Sequence, residues 1–263
     1  MRIGRLLVRA MIAMAVPVTM SDAVSAEDAR DVLAPQGRLR VGVYLGSPTS
    51  MVRNSNSGET HGLSFDLGKE MAKHLGVPFE QVNYERIADV LAGMKAGEVD
   101  FTVSNATASR ALDVLFSQTL ISLELGYLVT GTSPIATAVD VDRPGMRIGV
   151  TQGSTSERTL PKLLANATVV PAQNLNDAIK MLDDRELDTF ATNKPTLFEM
   201  SDRMPDARIL DGRWGEEHLA IAIPKGREGG MEVVRRFVEE VQSNGLLAKA
   251  VAQAGLRGAI ESK

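Results

Sequence analysis

A short polar stretch, Asn105, Thr107, Ser109 and Arg110, follows an apolar run at 99–103 that reads as a buried strand. Amide and hydroxyl groups at a strand end, beside one guanidinium, can grip a carboxylate through two parallel hydrogen bonds. The same residues also suit a polar loop whose Arg110 pairs with a surface acid. Two further strand ends carry comparable groups. Gln152-Gly153-Ser154-Thr155-Ser156 joins a strand to a helix. There a glycine lets a ligand approach the backbone, and free N–H groups at a helix N-terminus favour an anion. A plain Ser or Thr cap accounts for that sequence too. Thr192-Asn193 ends another strand just before Pro195, which fits the first position of a helix, so Asn193 is either a ligand contact or a turn or cap residue. Tyr44 and Tyr84 stand near strand ends and either wall a pocket or pack half-buried.

The elements that must position these groups alternate along the chain. Strands at 39–44, 79–84 and 99–103 are separated by two helices. The first helix carries Leu67, Met71 and Leu75 on one face, with Ser64 suited to its cap and Gly76 to its stop. The second spans 87–96. That order implies a parallel sheet with crossover helices. After an apolar segment at 120–129 and a turn at 131–134, a second unit begins. It has strands at 146–151, 168–171 and 189–192, with a helix at 175–187. A strand at 218–223 and a helix bearing Val233, Val234, Phe237, Val238 and Val241 close the chain. Two similar α/β units thus follow one another, without a short sequence repeat. Ligands of parallel α/β sheets bind beyond the carboxyl ends of the strands. The three clusters occupy that end in two units, so two facing lobes would bring them to one cleft, the geometry of a hinged binding protein.

Composition narrows the alternatives. The 263 residues are 44% hydrophobic and 24% charged, as in a soluble globular chain of one large or two modest domains. With 4% aromatics and a net charge of -4, neither stacked single-stranded nucleic acid nor a phosphate backbone is an expected partner. Cysteine is absent, which excludes a thiol nucleophile, a Cys-bound metal and a lipid-anchoring cysteine. His61, His74 and His218 are scattered without metal-ligand spacing, so no metal or other cofactor is expected. Neither a nucleophile elbow nor a phosphate-binding loop occurs. An enzyme would need an acid or base in the cleft; Asp66 and Glu85 are the candidates, and no motif supports either.

The N-terminus has the pattern of a secretory signal. Arg2, Arg5 and Arg9 precede an apolar stretch of about eleven residues, and Val24-Ser25-Ala26 fits a small-x-small cleavage site. An uncleaved N-terminal anchor is the alternative. Removing 1–26 takes away three Arg and Asp22, a net of +2, which leaves the mature chain at -4 - 2 = -6. No later segment approaches the ~18 apolar residues of a membrane span. The expectation is an exported, soluble protein.

Six short motifs then stand in one order: R-L-R-V-G-V (38–43), G-L-S-F-D-L-G-K-E-M-A-K-H-L-G (62–76), M-K-A-G-E-V-D-F (94–101), T-A-S-R-A-L-D-V-L-F-S (107–117), I-G-V-T-Q-G-S-T-S-E (148–157) and R-E-L-D-T-F-A-T-N (185–193). In this order they resemble the extracellular solute-binding proteins of family 3, the amino-acid-type receptors of ABC importers, from about Gly37 onward. The resemblance implies a type II periplasmic-binding-protein fold of two α/β lobes, hinged by two crossing segments, with the ligand cleft between them. Lobe 1 would hold 27–128 plus 218–263, and lobe 2 would hold 132–217. It implies a monomeric periplasmic receptor that is not an enzyme and that passes a small solute to a membrane permease. A dehydratase-like enzyme and a ligand sensor on the same scaffold are the rival readings. By the same resemblance Arg110, Thr107 and Thr155, with Asn105 and Ser154, would hold the ligand's α-carboxylate. Two departures accompany it. The interval from Thr107 to Arg110 is two residues shorter than usual, and Asn193 stands where an acid normally meets the α-ammonium. The solute expected is a small polar carboxylate, an amino acid or a derivative. Because an amide accepts from an ammonium without neutralising it, Asn193 weakens the case for a standard α-amino acid and leaves a carboxylate without a free amine, or with a modified one, as the alternative.

Overall fold

A computed structural model describes residues 26–53 and 57–261. The expected signal segment, 1–26, lies outside the described residues except for Ala26. No helix among them is long and apolar enough to cross a membrane.

The chain opens with α1 (Ala26–Leu33), β1 (Leu39–Tyr44), the short pair β2 (Val52–Arg53) and β3 (Thr60–His61), and α2 (Leu63–His74). It continues through β4 (Phe79–Tyr84), α3 (Ile87–Lys95), β5 (Thr102–Asn105) and a 3-10 turn, Arg110–Leu112. The sixteen-residue β6 (Val114–Val129) leads into β7 (Arg147–Thr151), α4 (Thr155–Leu163), β8 (Thr168–Ala172), α5 (Leu175–Asp183), β9 (Thr189–Asn193) and α6 (Lys194–Ser201). The chain returns through β10 (Arg208–Ile209), β11 (Gly215–Pro224), α7 (Met231–Ser243), α8 (Leu246–Gln253) and β12 (Ile260–Glu261).

The expected strand–helix alternation forms, with three local differences. The third strand starts at Thr102 rather than 99, because Asp100 is held back by Arg40 and Arg227. Ser64 is no cap: Gly62 occupies that position, and the Ser64 hydroxyl lies buried, donating to the Thr49 and Val103 carbonyls. The helix bearing Val233 to Val241 ends near Gly245 as expected, but an unexpected further helix, α8, follows it; Gly245 between them lies in the left-handed region (φ 79°), which a glycine reaches without steric cost.

β1 and β4 pair in parallel, and Val41 bridges Phe101 in the same sense. The larger sheet runs β5-β11-β6-β9-β7-β8, with β11 antiparallel to both β5 and β6. β6 passes between two cores. Leu120, Ile121 and Leu123 pack with Leu39, Val41, Leu67, Phe101 and Phe237, whereas Leu128 packs with Phe190 and Met200. Tyr127 and Val129 join Ile148, Val150 and Leu160. Trp214, just before β11, donates from its indole N–H to the Gly126 carbonyl at 2.9 Å and lies 6.3 Å from the Tyr127 ring.

The two lobes also share a device that the sequence does contain in repeated form. In Arg40-Val41-Gly42-Val43, the Arg40 amide, Nε and Nη2 all donate to Asp100, at 2.9, 2.8 and 2.7 Å. In Arg147-Ile148-Gly149-Val150, the same three groups donate to Asp188 at 2.8, 3.1 and 3.0 Å. The glycine two positions on is equally constrained in both. A Cβ on Gly42 would lie 2.6 Å from Val90, and one on Gly149 would lie 2.4 Å from Leu187. The repeat is a short one, two arginines and two acids about one unit apart, which explains why periodicity alone misses it.

Candidate functional site

A cavity between the lobes collects the ends of β1, β5 and β9, the N-termini of α4 and α6, and one side of β11. Its volume is about 60 Å³, and it is partly open to solvent. Of the residues expected at a site, Tyr44, Asn105, Arg110, Ser154, Thr155 and Asn193 line it. Tyr84 and Thr107 do not. The Tyr84 hydroxyl donates to Glu98 at 3.1 Å outside the cavity, and Thr107 accepts from the Arg110 amide at 3.3 Å, holding the 3-10 turn. The acids weighed for catalysis are also elsewhere. Asp66 accepts from the Gly62 amide at the start of α2, and Glu85 accepts from Asn174 at 3.3 Å on the rim.

The 3-10 turn after β5 carries Arg110 back into the interior, so the shortened interval from Thr107 still delivers the guanidinium to the cavity. Arg110 is 7% exposed. Its Nη1 donates to the Ser104 hydroxyl at 2.7 Å and to the Asn105 carbonyl at 3.3 Å, while Nε has no partner among the described residues. Burial pushes the guanidinium down to about 10, which the nearby Glu217 partly opposes, and it stays cationic at neutral pH. A buried donor without a partner is costly unless something arrives to accept from it.

Asn105 ties the lobes together. Its Oδ1 accepts from the His218 amide at 3.1 Å and its Nδ2 donates to the Thr155 hydroxyl at 3.3 Å. Ser154 caps α4 by accepting from the Glu157 amide, and Glu157 accepts from the Gly153 amide in return. Two of the N–H groups at this helix start are therefore committed within the chain. Ser47 meets Thr196 across the cleft at 2.9 Å. On the rim Arg86 donates to Gln152 and to the Gln173 carbonyl. Gly153 sits so close to Ala88 that a Cβ there would lie 2.4 Å from the Ala88 methyl. These contacts link the two sides of the cavity.

Asn193 is the N-cap of α6, its Oδ1 accepting from the Thr196 amide at 3.0 Å. That bond turns its Nδ2 outward, to donate to Glu217 Oε1 at 2.8 Å. The carbonyl oxygen expected to accept from a ligand ammonium thus already accepts one bond, from the Thr196 amide. An acid nevertheless reaches the cavity, from β11 rather than β9. Glu217 is 7% exposed, and desolvation pushes it up to about 7, with Arg110 and the Asn193 amide pulling the other way. The pattern that reveals it is strand parity. Glu217 shares a face with Leu219, Ile221 and Ile223, all buried, but a strand begun at His218 leaves it out. The remaining phenol, Tyr44, is pushed up by burial and lies within 3.4 Å of Thr49.

The family model of bacterial extracellular solute-binding proteins, family 3, matches residues 39–255. The chain is 22% identical over 228 residues to the ABC transporter glutamine-binding protein GlnH of Bacillus subtilis (strain 168), covering 84% of this chain and 83% of that protein. Among solved structures it is similar to the amino acid ABC transporter substrate-binding protein AbpA from Streptococcus pneumoniae bound to L-arginine, with a TM-score of 0.76, 21% identity and coverage of 86% and 97%. It is similar also to an ancestral amino-acid-binding protein described as a precursor of cyclohexadienyl dehydratase, with a TM-score of 0.73, 24% identity and coverage of 85% and 97%. These likenesses establish the two-lobed type II fold.

Proposed function

Because the chain belongs to the bacterial extracellular solute-binding proteins of family 3, we propose that it captures a small carboxylate-bearing solute, an amino acid or a derivative, by closing its lobes. The observation that carries this reading is the buried Arg110, with an unpartnered Nε, in a cavity lined from both lobes. In this reading 27–128 plus 218–263 form the first lobe and 132–217 the second. Arg110 holds the carboxylate, and Asn105, Ser154 and Thr155 surround it with amide and hydroxyl groups. Export follows from a cleaved signal at 1–26, and the monomeric closed form is the one that a membrane permease of an ABC importer recognises. The names of the relatives, a glutamine-binding protein and a substrate-binding protein bound to L-arginine, support an amino-acid-type solute. A thermal-shift screen of 27–263 against amino acids, N-modified derivatives and simple carboxylates tests it, since binding to the native state raises Tm. A hit that vanishes in Arg110→Ala is the expected result; hits that survive the substitution would remove Arg110 as the anchor.

A second reading, an enzyme on this scaffold, draws on one observation. Glu217 is a buried carboxyl inside the cavity, pushed up to about 7, where a general acid or base works best at neutral pH. Incubating each hit with the protein and following its concentration separates the two. A receptor leaves the solute intact, and an enzyme consumes it in a manner that Glu217→Gln abolishes.

A further inference from the structure

The family match ends at residue 255, whereas the described chain runs on to Glu261. This last stretch is fastened to one core on both sides of Arg257. Leu256, 4% exposed, belongs to the core of Leu39, Leu67 and Phe237, and Ala259 packs against that core as well. β12 then pairs antiparallel with β6, Ile260 opposite Ser122 and Glu261 opposite Ile121. β11 holds one edge of β6 at those residues, so β12 takes the other, which β9 occupies from Leu125 onward. Between these anchors Arg257 reaches α6, which belongs to a second core through Leu197 and Met200. Its Nη2 and Nη1 donate to Asp202 at 2.8 and 3.4 Å, and its guanidinium carbon lies 4.4 Å from the centre of the Phe198 ring. Gly255 and Gly258, both left-handed (φ 70° and 78°), turn the chain out and back around it. α6 has eight residues and is about 12 Å long. Its start brings Asn193 and Thr196 to the cavity, and Asp202 caps its far end. One short helix thus has the cavity at its beginning and Arg257 at its end.

We propose that residues 256–261 are a hook: Arg257, carried on one lobe, grips the end of α6 on the other and favours the arrangement in which both lobes line the cavity. The reading needs nothing of the solute or of Arg110. Leu256 and β12 fix the base of the hook. A bend of β6 beyond Leu123 that swings α6 away must therefore part Arg257 from Asp202 and Phe198. Hook and cavity are linked through the helix: what keeps Asn193 and Thr196 in place keeps the hook engaged, and the reverse holds by thermodynamic necessity. An exposed ion pair contributes little alone, but a guanidinium stacked over a ring adds to it. The side chains of Arg257 and Asp202 are 47% and 58% exposed, so salt screens their attraction. The hook is thus a link between the lobes that ionic strength adjusts.

The test reads the distance between the lobes with no solute present. The chain has no cysteine, so Ala96→Cys at the end of α3 and Lys162→Cys in the last turn of α4 carry the only two spin labels. Both sites are exposed, and α3 approaches the start of α4 where Ala88 meets Gly153. Pulsed electron resonance on the whole mature chain then gives the populations of near and far separations. The expected result at low salt is a fall of about three- to tenfold in the ratio of near to far in Arg257→Ala. Asp202→Ala gives part of that fall, and adding it to Arg257→Ala gives nothing more. High salt moves the wild-type distribution towards that of Arg257→Ala and leaves the variant's own unchanged. Arg235→Ala, which removes ion pairs within α7 alone, has no effect. A distribution unaltered by Arg257→Ala overturns the hook, as does a wild-type distribution indifferent to salt. Equal shifts from Arg235→Ala and Arg257→Ala would also overturn it, as an effect of lost surface charge in general. A failure of Arg110 as the carboxylate anchor leaves these distances untouched, so the two readings fail separately.

Discussion

Glu217 makes the stability of the unliganded protein depend on pH in a definite direction. Its native pKa, about 7, lies above the 4.5 of an ordinary glutamate, so between those values the native state holds a proton that the unfolded chain releases. Stability from this group is present below pH 4.5 and is lost as pH rises towards 7, by up to about 3 kcal/mol. The charged or titratable groups that face it are Arg110 and Tyr44. Urea midpoints at pH 5 and pH 8 should therefore converge in Glu217→Gln, which stays neutral throughout; parallel profiles for the two proteins would contradict the assignment. At this scale the sequence was legible where short polar residues crowd a strand end, as at Asn105 and Ser154. Thr107 and Tyr84 have the same chemistry, but a tight turn uses one and Glu98 the other. Glu217 was hidden by a strand boundary placed three residues late, at His218 instead of Gly215.

The repeated Arg–Asp clasp makes the two lobes alike in design and unequal in energetics. Asp100 is fully buried and also pairs with Arg227 at 2.8 Å, whereas the Asp188 side chain is 30% exposed and its one ion pair among the described residues is with Arg147. Asp100→Asn leaves two partly buried guanidinium groups short of a buried anion, and a loss of about 3 kcal/mol is expected. Asp188→Asn should cost about 1 kcal/mol or less, since water screens that pair. Denaturant unfolding of both variants checks the ranking, and equal losses would refute it. Alternation of strands and helices was readable because each element keeps its own period. The full length of β6 was not, because Ser117, Gln118 and Thr119 interrupt its apolar run. Its sixteen residues stay extended through pairing with β11 along one part and β9 along another. That pairing is a property of the tertiary structure.

For the whole molecule, motif order conveyed the two-lobed plan, while the contacts that close it escaped notice. Ser47 with Thr196 and Arg86 with Gln152 lie far apart in the chain, and no local pattern links them. The place where the lobes join also holds the sole tryptophan. Trp214 is bonded to Gly126 and neighbours Tyr127, where β6 passes from one core to the other. Any bend of the crossing strands alters the surroundings of that indole, so this protein carries its own optical probe. Adding a solute that binds should shift the emission, and Trp214→Phe should silence the signal while calorimetric binding persists. With a single emitter the trace is unambiguous, and rapid mixing can time the bend separately from capture. If closure follows capture, the emission change will trail the heat of binding and its rate will level off as solute concentration rises.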